Sequence, residues 1–118
     1  MPHYRISDAA RGDIVDILRH SQMQFGESAR KRYQTLILTT LQTLAKTPHH
    51  VASRARDEIA PGLRSYHLSH SRQHANPRHA TVKNPRHIVF YRLAHDKAVE
   101  VVRCLHDAMD VQLHLPDE

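Results

Sequence analysis

A single cysteine, no tryptophan and an aromatic content of only 5% set the first limits on this 118-residue chain. One thiol, Cys104, excludes an intramolecular disulfide and any cysteine-based zinc cage, and its place inside a strand-like run marks it as a buried, inert side chain. With so few rings the core has to be mainly aliphatic. No apolar run approaches the roughly 18 residues of a membrane span, and the opening MPHYRISDAARGD is too polar for a secretory core. Both points lead to the expectation of a reducing cytoplasm.

The remaining scarcity is local. From Ile59 through His95 there is no acidic residue, while Arg64, Arg72, Arg78, Lys83, Arg86 and Arg92 all fall there. Over the whole chain 17 lysines and arginines face 12 aspartates and glutamates, for a net charge of +5, so this segment holds the positive excess. Such a field draws an acidic protein or a nucleic acid, although a solvated basic surface has the same composition. The length fits one domain, residues 1–118, large enough for a real core and small for an elaborate enzyme.

The pattern of apolar residues supplies the elements. His3 to Ile6 reads as a short strand, and Ser7 as the N-cap of a helix whose core side holds Ala10, Ile14, Ile17, Leu18, Ser21 and Phe25. Gly26 is placed to end it. A second helix runs from Glu27 and Ser28 to about Lys46 with Ala29, Tyr33, Leu36, Ile37, Leu41 and Leu44 inward, and Leu38 outside that stripe. The two should form an antiparallel helical hairpin.

His49 to Ile59 is a polar connection with room for one helical turn, Pro61-Gly62 a turn, and Leu63 to Ser69 a strand. Ser71 to His87, with two Asn-Pro pairs, is expected to be a long basic hairpin loop, beyond the ~12–15 residues of ordinary connections. Ile88–Leu93 and Val99–Leu105 then make a β-hairpin around His95, Asp96 and Lys97. Both faces of its first strand are apolar, which predicts a helical cover on one face and a partner on the other. On the second strand Arg103 shares a face with Val99, Val101 and Leu105, where a lone charge is costly, so it must be paired or reserved for an anion. The order β-α-α-β-β-β describes an α+β domain, an antiparallel sheet packed on an N-terminal helical hairpin, with the first strand beside a C-terminal one.

In this order, SDAARGDI, FGESARKRY, LAKTP, PGLRSYHL, RHIVFYRL and VEVVRCLHDAMD resemble the ParE branch of the ParE/RelE superfamily of type II toxin–antitoxin toxins, over nearly the whole chain. The resemblance implies the RelE/ParE-like fold, a cognate ParD-like antitoxin of the ribbon-helix-helix type, and a protein that poisons DNA gyrase or a related type II topoisomerase without chemistry or cofactor of its own. RelE-type relatives instead cleave mRNA on the ribosome. In that branch a hairpin arginine precedes the strand tyrosine and a pair such as His-Tyr follows the last strand; here Ile88 stands before Tyr91, and His106 is followed by Asp107.

If the chain were a nuclease, Arg64, His67, Arg86 and His106 would be the substitute catalytic set. For contacts with target or antitoxin the candidates are Arg64, Arg86, Tyr91, Arg92, Arg103, His106, Asp107, Met109 and Asp110. A non-toxic, diverged binding module is the third reading. His67, His70 and His74 lie on a strand and loop without cysteine or carboxylate, so no metal site is expected from them, and direct nucleic-acid binding is not expected as the main role.

Overall fold

A computed structural model of the protein describes residues 3–75 and 82–109. Strand β1 (Tyr4–Ile6) leads through Ser7 into α1 (Asp8–Phe25), and Gly26 alone separates it from α2 (Glu27–Lys46). The Ser7 hydroxyl accepts the Ala10 N–H at 3.0 Å, the expected N-cap. Gly26 takes φ +95°, a conformation that lets the chain reverse in one residue and that a side chain would strain. Then follow β2 (Arg54–Ala55), β3 (Arg64–His67), a 3₁₀ turn (Leu68–Ser71), the one-turn helix α3 (Arg72–Ala75), β4 (His87–Leu93) and β5 (Val99–His106).

The fold is α+β, a helical hairpin against a five-stranded sheet of order β1-β5-β4-β3-β2. As expected, β1 lies beside the C-terminal strand. It runs parallel to β5 while the other pairs are antiparallel, so the sheet is mixed. Strand β2 is an addition: two residues of the polar connection pair with Arg64 and Ser65. The expected strand through Ser69 stops at His67, because the His67 ring accepts the Ser69 N–H at 3.1 Å and turns the backbone into the 3₁₀ segment. The expected long basic loop, Ser71 to His87, opens on the last residue of the 3₁₀ turn and the helical turn α3; residues 76–81 lie outside the described residues.

Leu36, Ile37, Leu41 and Leu44 of α2 meet Tyr66, Val89, Tyr91, Val99, Val101 and Cys104 of the sheet in the main core. Each such side chain contributes about 1.5–3 kcal/mol on leaving water. Ala10 joins this core and Ile14, Ile17 and Leu18 pack on its edge, but Phe25 is 74% exposed. It is the last residue of α1, next to the reversal at Gly26, and its ring is left in solvent. The second face of the β4–β5 hairpin is covered by its own chain: Phe90 and Leu105 are buried with Ala60 and Leu63, and Ile59, Ile88 and Val102 pack on them.

The β4–β5 register slips by one residue, with Phe90 opposite Arg103 and Tyr91 opposite Val101. Val102 is the extra residue, and beyond it the alternation reverses, so that Cys104 instead of Arg103 continues the helix-facing row of Val99 and Val101. Asp13 of α1 seals the irregularity. Its carboxylate accepts Arg103 Nε at 2.7 Å, Nη2 at 2.8 Å and the Cys104 N–H at 3.0 Å. Burial pushes the Cys104 thiol up to about 12, in keeping with an inert side chain.

Candidate functional site

Antiparallel pairing at one end of the sheet sets His87 opposite His106 and His67 opposite Ile88. The end of β3, the start of β4 and the exit of β5 therefore converge, and α2 adds Tyr33 from above.

Asp107 is the centre of this cluster. Its N–H donates to the Arg86 carbonyl at 2.8 Å, extending the ladder one step past β5. Its carboxylate accepts Arg86 Nε at 3.1 and 3.2 Å and Arg86 Nη2 at 2.9 Å. His67 Nε2 stands 3.0 Å from Oδ2 on the other side. Because His67 Nδ1 accepts the Ser69 N–H, the ring's proton sits on Nε2 and is donated to Asp107. The Arg86 guanidinium and then His67 hold the Asp107 carboxyl down at about 2. In return Asp107 raises Arg86.

A second set of bonds lies alongside. The Tyr33 hydroxyl accepts the Arg86 N–H at 3.2 Å and shares a hydrogen bond of 2.6 Å with His87 Nδ1. Burial pushes the Tyr33 phenol up to about 12. Burial, with His106 beside it as a lesser cause, pushes His87 down to about 4, so this imidazole is neutral at pH 7. His87 and His106 meet edge to face at 5.4 Å. His106 Nδ1 accepts the Ala108 N–H at 3.1 Å, which assigns its proton to Nε2 and shapes the turn after β5.

Of the suggested catalytic set, His67, Arg86 and His106 come together and Arg64 does not. Arg64 lies opposite Tyr91 at the far end of β3, three residues or about 10 Å along the strand from His67. There its Nε and Nη2 donate to Ser53 Oγ at 3.2 and 2.7 Å. Tyr91 is buried, and its hydroxyl donates to the Pro48 carbonyl at 2.6 Å. Arg92 pairs with Glu100 at 3.0 Å, and Arg103 is taken up by Asp13. Met109 is exposed beside the cluster, and its N–H donates to the His106 carbonyl; Asp110 lies outside the described residues. The three spaced histidines go to different places: His67 to Asp107, His70 to the Tyr66 ring, and His74 to the surface.

Two members of the cluster were not among the sequence candidates. Tyr33 reads as one more apolar position of α2, and nothing in helical periodicity shows that its hydroxyl reaches the sheet. His87 was legible in principle, since folding the hairpin about Asp96 brings it within a residue of His106.

The arrangement binds charge inward. The cation that could meet an anion is neutralised by Asp107, the imidazole in the seam is uncharged, and the phenol holds its proton.

The family model described as the ParE toxin of type II toxin-antitoxin system, parDE, matches residues 4–111. A protein named Toxin ParE1 from Caulobacter vibrioides is 25% identical over 115 residues, covering 98% of this chain and 99% of that protein. Another Toxin ParE1, from Mycobacterium tuberculosis, is 27% identical over 112 residues, covering 95% and 96%.

Proposed function

Since the chain belongs to the ParE toxin family of type II toxin–antitoxin systems, we propose that it acts in the bacterial cytoplasm by binding and poisoning DNA gyrase, without chemistry of its own, and that a cognate ParD-like antitoxin neutralises it. The observation that carries this reading is the closed state of the Asp107 cluster. RNA cleavage by 2′-hydroxyl attack calls for a base, an acid and a cation free to meet the phosphate. Here Arg86 is bound two-fold to Asp107, His67 spends its proton on the same carboxylate, and Tyr33 and His87 satisfy each other. Such a cluster braces the end of the sheet as a fixed surface for protein contact.

Among the described residues no helix is long and apolar enough to cross a membrane. The test is a supercoiling assay with purified toxin, read for accumulated cleaved DNA. Cleaved DNA rising with toxin is expected; intact supercoiling at high toxin excess refutes the proposal. The convergence of His67, Arg86 and His106 sustains one rival, a ribosome-dependent nuclease. It requires mRNA cleavage in a translation extract that His106→Ala abolishes, and intact mRNA with the wild-type chain removes it.

A further inference from the structure

The arginines of the sheet and its margins are mostly answered from within. Arg5, Arg56, Arg86, Arg92 and Arg103 each meet a carboxylate. Arg64 is different. It is half-buried, and among the described residues its guanidinium meets only the Ser53 hydroxyl, which accepts both Nε and Nη2. Ser53 is itself fixed, since its Oγ donates to the His50 carbonyl at 2.7 Å. The result is an oriented fork whose Nη1 side has no acceptor among these residues. A half-buried cation held in place without a counter-charge is costly unless something supplies one.

The same corner carries apolar surface. Val51, two residues before Ser53, is 96% exposed. Leu93, on the face of β4 that Arg64 shares through its pairing with Tyr91, is 40% exposed. Phosphate backbones are held by rows of cations, and here the cation next in line, Arg54, pairs with Ser65 on the opposite face of the sheet. One oriented guanidinium between apolar side chains fits a folded protein segment instead.

We propose that Arg64 is an anchor for a carboxylate of the neutralising antitoxin, whose Asp or Glu side chain completes the fork while neighbouring apolar side chains cover Val51 and Leu93. This rests on the toxin–antitoxin reading above and adds to it the corner and the chemistry of recognition. Bidentate Arg–carboxylate pairs are the geometry that a lysine cannot reproduce.

The test uses the full chain and the protein encoded by the neighbouring reading frame, with Kd measured by calorimetry. Arg64→Ala is expected to raise Kd about 30-fold or more and Arg64→Lys to recover only part of the loss, while Arg54→Ala stays within about two-fold. Ser53→Ala keeps the charge but frees the fork, and should raise Kd about five-fold by adding the cost of ordering the side chain. It provides the measurement should Arg64→Ala fail to fold. A wild-type complex whose Kd none of the Arg64 and Ser53 variants changes overturns the anchor and leaves the toxin–antitoxin reading standing. No complex with the wild-type chain removes both. Binding to a 20-base-pair duplex that Arg64→Ala abolishes overturns the anchor in favour of nucleic acid.

Discussion

The two ends of β3 hold arginine in opposite ways. At the His67 end Arg86 lies against Asp107, with His67 on the same carboxylate and Tyr33 tying the strand to the helices. At the Arg64 end the guanidinium rests on one serine hydroxyl, without a carboxylate among the described residues. Three residues along one strand thus separate a closed ion cluster from an open one. The contrast teaches that local cation density says little about where an anion can bind. What matters is whether the fold has already supplied the counter-charge, and here the richer cluster is the saturated one.

The largest expected effect calibrates the comparison at a third arginine. Asp13→Ala strips the carboxylate from the largely buried Arg103 and from the Cys104 N–H, and should cost about 3 kcal/mol in a denaturant melt. A loss below about 1 kcal/mol would mean that closure contributes little anywhere in this sheet. Acid should separate the ends next. His87 has a folded pKa of about 4 against 6.5 when unfolded, so the unfolded chain takes up its proton first; stability is full above about pH 6.5 and declines as pH falls toward 4. Asp107, held at about 2 against 3.8, contributes stability above about pH 4 that is lost as pH falls toward 2. In His87→Gln the decline between pH 6.5 and 4 should flatten, and an unchanged profile would contradict the neutral imidazole at the seam.

Removing one hydroxyl is a finer test of closure. Tyr33→Phe deletes the bonds to His87 and the Arg86 N–H and should cost about 1 kcal/mol. Smallest of all, Arg64→Ala should change folding stability by less than about 0.5 kcal/mol, because the bonds to Ser53 are balanced by relief of an unanswered charge. A drop comparable to that of Asp13→Ala would show that the Arg64 end is structural and that the contrast is false.

Much of this was legible in the chain. Helical periodicity, with Gly26 as the break between them, located both helices, because those signals are local. The cost of a lone charge flagged Arg103, whose partner Asp13 lies on another element. Less legible were the features set by tertiary contact. Strand β2 exists only because Ser65 and Arg64 offer it an edge. The slip at Val102 is fixed where the Ser7 hydroxyl donates to the Val102 carbonyl at 2.8 Å and Asp13 takes the next-but-one N–H. No alternation rule anticipates that, so Arg103 was assigned to the wrong row. Phe25 continues the helical stripe of α1, and periodicity alone does not show that the helix's last residue stays in solvent. At the site, His67, Arg86, His106 and Asp107 were named from the sequence, whereas Tyr33 depends on how α2 lies across the strands.

The parallel pairing of β1 with β5 also governs when this protein comes into being. Strand β5 stands between the first strand and β4, so the sheet lacks its second-last member until His106 has left the ribosome. At about 5–20 residues per second the helical hairpin waits several seconds for the strand that completes its cover. A chain stalled before Val99 should therefore be open to protease, while one stalled on an added C-terminal extension that carries Met109 clear of the ribosome is resistant. Synthesis itself thus acts as a timer: the completed sheet, with both ends of β3 in place, exists only once β5 has been made.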